Sequence, residues 1–195
     1  MHHAMPLTCT LIVVAGLSSA SAQMRPADGA ATKPSMKVDM TMAKTPEEAA
    51  PGILPSGFGD AVDRDVIRLR AATEPFKVLD KAIAAGYADQ GGKCIEHQPH
   101  GAMGYHHNNK ALMDTTLDVE KPEVLVYEKR PDGTLQLNGV EFLVPFTAWT
   151  KTEPPSIMGQ NLKRADSLGF WYLHVWNWTA NPSGLFADWN PNVKC

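Results

Sequence analysis

Two runs joined by a tight turn set the class of fold. Pro122 to Glu128 (P-E-V-L-V-Y-E) is apolar and β-branched, Arg130-Pro131-Asp132-Gly133 is turn chemistry, and Leu135 to Phe146 is a second extended run. An Asp-Gly turn between two such runs makes an antiparallel hairpin. Gly169 to Trp178 (G-F-W-Y-L-H-V-W-N-W) is a further strong strand. Ala102 to His107, bounded by Gly101 and Asn108-Asn109, is a short one.

Helical spacing precedes the strands. Asp60 is placed to cap a helix carrying Val62, Val66, Ile67 and Leu69 on one side. Thr73 then precedes Glu74-Pro75, a second helix start with proline in its first turn. Phe76, Leu79, Ile83 and Tyr87 follow at spacings of three and four, which predicts one shared face, and Gly86 is placed to end the helix. Residues 147–169, with Pro154-Pro155 and Gly159, read as a long loop of the kind that lids a site. Thr179 to Cys195 reads as a turn-rich tail. The expected fold is α+β, an N-terminal helix pair packed on a curved antiparallel β-sheet, with closure toward a barrel left open.

The segments before the domain differ in kind. Leu7 to Leu17 is almost wholly apolar, and Ala20-Ser21-Ala22 fits a signal peptidase site, so residues 1–22 are expected to be a cleavable signal peptide, although the start carries His2 and His3 in place of Lys or Arg. The run is too short to span a bilayer. Cys9 lies too early for a lipoprotein site. Residues 23–58 are rich in Ala, Pro, Lys, Thr and Met, with no aromatic residue before Phe58, and read as a flexible tether. Met24, Met36, Met40 and Met42 are either chance residues of that tether or soft ligands for copper(I). Residues 59–195 are then a single globular domain.

Removing the leader leaves Cys94 and Cys195. Two cysteines in an exported chain point to one disulfide, against the alternative of two free thiols, and to a periplasmic or secreted location. The net charge of −3 and the mildly acidic pI provide no basic stripe for nucleic acid and no polybasic segment for anionic lipid. No further run is apolar enough for membrane insertion after signal cleavage. A small molecule is the expected partner, with oligomeric state left open.

Five histidines follow the leader: His97, His100, His106, His107 and His174. Alternation over Leu135 to Phe146 puts Glu141 on one side with Leu135, Leu137 and Leu143. A carboxylate in apolar surroundings needs a partner, a metal or a salt bridge, for instance to Arg130 or Lys110. In the last strand His174 shares a side with Tyr172, Trp176 and Trp178, where it is either a ligand or a core imidazole bonded locally. His106 lies between Gly104 and Asn108 on its own face, where small neighbours leave room. If these strands are neighbours, His106, Glu141 and His174 make a ligand set for a divalent metal ion (zinc, copper, iron or manganese) with open positions. His97 and His107 are weaker candidate ligands, His97 and His100 reading chiefly as loop residues. Asp188 is a candidate fourth ligand or catalytic acid/base. All five tryptophans (Trp149, Trp171, Trp176, Trp178 and Trp189) fall in the last quarter, where they either pack the sheet or line an aromatic cleft. No G-x-S-x-G elbow and no glycine-rich phosphate loop is present.

Gly101-Ala102-Met103-Gly104-Tyr105-His106, the strand Pro122 to Glu128, and Phe186-Ala187-Asp188-Trp189-Asn190-Pro191 resemble segments of a group of secreted bacterial proteins described as hypothetical. The resemblance spans most of residues 60–195. It implies one coherent domain and carries no activity.

Three functional classes follow. The first is an exported metal-binding protein or metalloenzyme of hydrolytic or oxidative type. The second is a non-catalytic small-ligand-binding module with an aromatic cleft under the 147–169 loop. The third is a structural exported domain whose His and Glu residues complete an internal hydrogen-bond network.

Overall fold

The structure, a computed structural model, describes residues 56–195. The expected signal peptide, most of the expected tether and its four methionines lie outside the described residues. The tether's last residues are already docked. Asp63 accepts a hydrogen bond from the Ser56 N–H at 2.7 Å, and the Phe58 ring meets Phe186 edge-on at 4.9 Å.

Helix α1 (Asp60–Thr73) buries Val62, Val66 and Leu69 against the sheet. Gly59, not Asp60, occupies the cap position. Asp60 and Asp63 lie in the first turn, where negative charge meets the positive end of the helix dipole. A 3₁₀ turn (Glu74–Lys77) and a short helix α2 (Leu79–Ala84) follow. The expected four-residue face does not persist. Val78 is extended between the two turns, which resets the helical phase. Phe76 and Tyr87 pack together at 5.2 Å, whereas Ile83 is 55% exposed. Gly86 ends α2 at φ 97°, with Gly86 N–H bonding Ile83 O and Tyr87 N–H bonding Ala82 O, the two reciprocal bonds that satisfy a helix C-terminus.

Six strands form one antiparallel sheet in the order β1-β2-β3-β4-β8-β7, which curls into a half-barrel. The strands are β1 (Ala88–His97), β2 (Gly101–Asn108), β3 (Val124–Lys129), β4 (Leu135–Pro145), β7 (Lys163–Ala165) and β8 (Phe170–Val175). β5 (Ser156–Ile157) and β6 (Gln160–Asn161) pair separately. The β3–β4 hairpin turns where the sequence places it, with Gly133 N–H bonding Arg130 O at 2.9 Å. Strand β1 was not legible in the sequence, and the region read as a lid loop contains the edge strand β7.

A bulge in β4 changes the expected faces. Val126 pairs with Gly139 but Tyr127 pairs with Leu137, so Asn138 is the extra residue and the alternation slips by one. Leu135 and Leu137 therefore face the helices with Val140, Phe142 and Val144, while Glu141 and Leu143 face the other side. Similarly, β8 ends at Val175, so Trp178 lies on the helix side, its indole N–H donating to Thr73 Oγ1 at 3.0 Å.

The tail is tied down twice. Cys195 forms a disulfide with Cys94, and Asn190 pairs with Ala102 at the start of β2. The G-A-M-G-Y-H and F-A-D-W-N-P segments thus meet. A side chain at Gly101 would run into the Asn190 backbone, and one at Gly104 into the Tyr127 carbonyl. Both positions also hold positive φ, so glycine is required twice over.

Candidate functional site

The face of the sheet away from the helices carries the chemistry. Glu141 on β4 and His174 on β8 are directly paired across the ladder. His106 on β2 pairs with Val126 of β3, and Val124 of β3 pairs with Glu141. Two strand spacings of about 4.8 Å separate β2 from β4. The long His and Glu side chains cross over the two short valines and meet. His106 Nε2 lies 3.4 Å from Glu141 Oε2, and His174 Nδ1 lies 3.7 Å from Glu141 Oε1. The two imidazole centroids stand 6.4 Å apart with their planes nearly perpendicular. Among the described residues, no three His, Cys, Asp or Glu side chains are closed around a common point as metal ligands.

Burial governs the electrostatics. His174 is 0% exposed and stacks on Trp176 at 4.4 Å. Burial, with the charges of His106 and Lys163, pushes its imidazole well below the ordinary value, so it is neutral. Both of its ring nitrogens lack a hydrogen-bond partner, as does His106 Nδ1. Burial raises the Glu141 carboxyl; His106 draws it down and Asp188 pushes it up. Neither Arg130 nor Lys110 reaches it: Arg130 donates to Gln136 Oε1 instead.

A cavity of about 470 Å³ opens on this face and reaches both edges of the sheet. Its walls include Ile95, Met103, Leu143, Leu168, Phe170 and Trp189, and His106 and Glu141 are its polar floor. His174, fully buried beside Glu141, is not part of the lining. The volume is within the range of small-molecule sites.

The remaining candidates scatter. Asp188 accepts from Lys163 Nζ at 2.5 Å and from the Tyr172 hydroxyl at 3.3 Å, so it stands at the border of the cluster in an ion pair. Burial and Asp188 raise the Tyr172 phenol to about 12. His107 points to the helix side, edge-on to Tyr127 at 4.9 Å, and cannot join His106. His97 pairs with Gly101, five residues along β2 from His106, or about 17 Å. It stacks with His100 and leans on Trp189.

Tyr172, Lys163 and Leu168 were missed as site residues. Tyr172 had a signal, since it alternates with His174 along β8. Lys163 and Leu168 had none, because their segment carries no strand pattern. No protein-family model matches this chain, and no curated protein or solved structure matches it.

Proposed function

We propose that this is an exported metal-binding protein in which His106, Glu141 and His174 hold a divalent ion beneath an apolar cavity that receives a small molecule. The supporting observation is a fully buried imidazole, His174, with neither nitrogen partnered, beside a buried carboxyl and a second imidazole. Buried polar groups almost always find partners. The 3.4 and 3.7 Å separations are long for hydrogen bonds. They lie near the roughly 3.4 Å between neighbouring ligand atoms at about 2.1 Å from a tetrahedral ion.

The donor set of two imidazoles and one carboxylate suits zinc, copper, iron or manganese. When bound, such an ion supplies Lewis-acid polarisation or an activated water. His106 and Glu141 reach the cavity and orient whatever enters it, while Trp176 fixes the plane of His174. Lys163 and Tyr172 hold Asp188 at the margin of the cluster.

Elemental analysis of residues 23–195, exported so that the disulfide forms, tests this beside His174→Ala. Near-stoichiometric metal in the wild type and none in the variant is the expected result. Both remaining empty after reconstitution with each of the four ions would remove the metal reading.

The cavity itself favours a second reading, a ligand-binding module without catalysis. That reading expects tryptophan fluorescence to change with apolar probes and to be indifferent to chelator.

A further inference from the structure

The register of β1 against β2 breaks directly above the candidate site. Asp89 pairs with His107 and Cys94 pairs with Tyr105, so Gln90, Gly91, Gly92 and Lys93 stand opposite His106 alone. This is a large bulge in an edge strand. Gly91 and Gly92 take φ of 85° and 67°, a conformation side chains resist. An added Cβ at Gly91 would meet nothing within 4 Å, so glycine is there for its backbone and not for space. Bulges beside sites re-aim side chains, and here Gln90 and Lys93 both line the cavity. The neighbouring Cys94–Cys195 bond anchors the end of the bulge.

Two cations line the cavity, and they differ. Arg164 donates to Asp166 through Nε and Nη2 at 3.0 and 2.7 Å, and its guanidinium lies over the Phe146 and Trp171 rings. Its charge is engaged. Lys93 forms no ion pair among the described residues. The cavity walls are largely apolar, with Gln90, His106, Asn108 and Glu141 as further polar groups, and two large aliphatic side chains of its lining are exposed, Leu168 at 67% and Ile95 at 39%. They come from the two opposite edge regions of the sheet, the β7–β8 turn and β1.

We propose that the cavity takes a small apolar molecule bearing one anionic group, its apolar body against Ile95, Met103, Leu143, Leu168 and Phe170 and its anion on Lys93. This rests on the reading that the cavity is the ligand site, and it does not require an ion on the floor. The apolar walls supply affinity for the body in proportion to the area covered. Lys93 supplies the discrimination, because a cation without a carboxylate partner gains more from an incoming anion than one already paired.

The test is calorimetric titration with 2-naphthoate and its neutral analogue 2-naphthalenemethanol at low salt, using residues 23–195. Wild type is expected to bind the carboxylate about tenfold more tightly, the scale of one charge-assisted hydrogen bond. Lys93→Gln is expected to bring the two probes within about twofold. Lys129→Gln, on an exposed lysine away from the cavity, keeps the tenfold preference. Leu168→Ser, at an exposed turn, weakens both probes equally. Failure of either probe to bind wild type, equal affinities in wild type, or a preference that survives Lys93→Gln overturns the proposal. Titrating metal-free and metal-loaded protein, with occupancy measured by elemental analysis, separates the two readings. Absence of metal with the Lys93 preference intact sinks only the metal site. A preference that appears only on loading and survives Lys93→Gln assigns the anion to the ion and sinks this inference.

Discussion

The two faces of one sheet obey different rules. Toward the helices, apolar side chains from β3, β4 and β8 meet Val62, Val66 and Leu69, and the polar groups there are mostly satisfied. Tyr127 donates to Phe76 O at 2.7 Å, Tyr87 to Pro122 O at 2.8 Å, and Thr73 Oγ1 links α1 to Trp178. Toward the cavity, polar side chains are buried without completion. Of the buried unpartnered side-chain atoms among the described residues, His106 Nδ1, Asn108 Oδ1 and both nitrogens of His174 are on this side, and His107 Nδ1 alone is on the other. A core built for stability satisfies its polar groups. A face that leaves them open is where a bound group would complete them.

That contrast can be broken or sharpened in order of expected effect. The Cys94–Cys195 bond serves both faces, since it closes a span of 101 residues and anchors β1. Cys94→Ser with Cys195→Ser should cost up to about 4.7 kcal/mol in a urea melt, by loss of the chain-entropy constraint. Phe142→Ala, on the helix side and fully buried, should cost about 3–5 kcal/mol. Any ion or probe bound by the folded fraction should remain. Equal loss of binding and stability would mean that the faces are not independent.

On the cavity side the order reverses. Ion at a hundredfold excess over its Kd should stabilise wild type by about 2.7 kcal/mol, and chelator should remove that gain. Glu141→Gln should show no such response while remaining folded. A chelator-insensitive melting temperature in reconstituted wild type would place His174 and Glu141 in an internal network only.

A pH dependence common to both faces concerns Glu123, a buried acid at the head of β3 that accepts Leu143 N–H at 3.0 Å. Burial raises its carboxyl to about 8, against the help of that hydrogen bond; Asp114 and Asp118 push it the same way, and Tyr87 is near. The folded protein therefore holds this proton more tightly than the unfolded chain. Stability should fall as pH rises from about 4.5 through about 8, where the folded state must ionise a buried acid. Urea midpoints across that range should decline in wild type and flatten in Glu123→Gln. Parallel slopes in the two proteins would assign the pH dependence to other groups.

Local chemistry made the hairpin, the strand around His174, the helix stop at Gly86 and the Cys94–Cys195 pair legible, because turn residues, alternation and cysteine count act over short range or by exclusion. Strand β1 was illegible because its run A-D-Q-G-G-K-C-I-E-H has glycines and charges where a strand pattern needs apolar alternation; pairing with β2 and the disulfide hold it. The neighbours of Glu141 came out differently because one bulged residue reverses every side chain before it. His107 and His106, adjacent in sequence, were separated by the same alternation onto opposite faces. The chain by itself determined that the fold is α+β, that it holds a hairpin, and which residue types could meet. Only the tertiary structure decided that His106, Glu141 and His174 share one face beneath an apolar cavity, because strand order and register are settled by long-range pairing that no local pattern encodes.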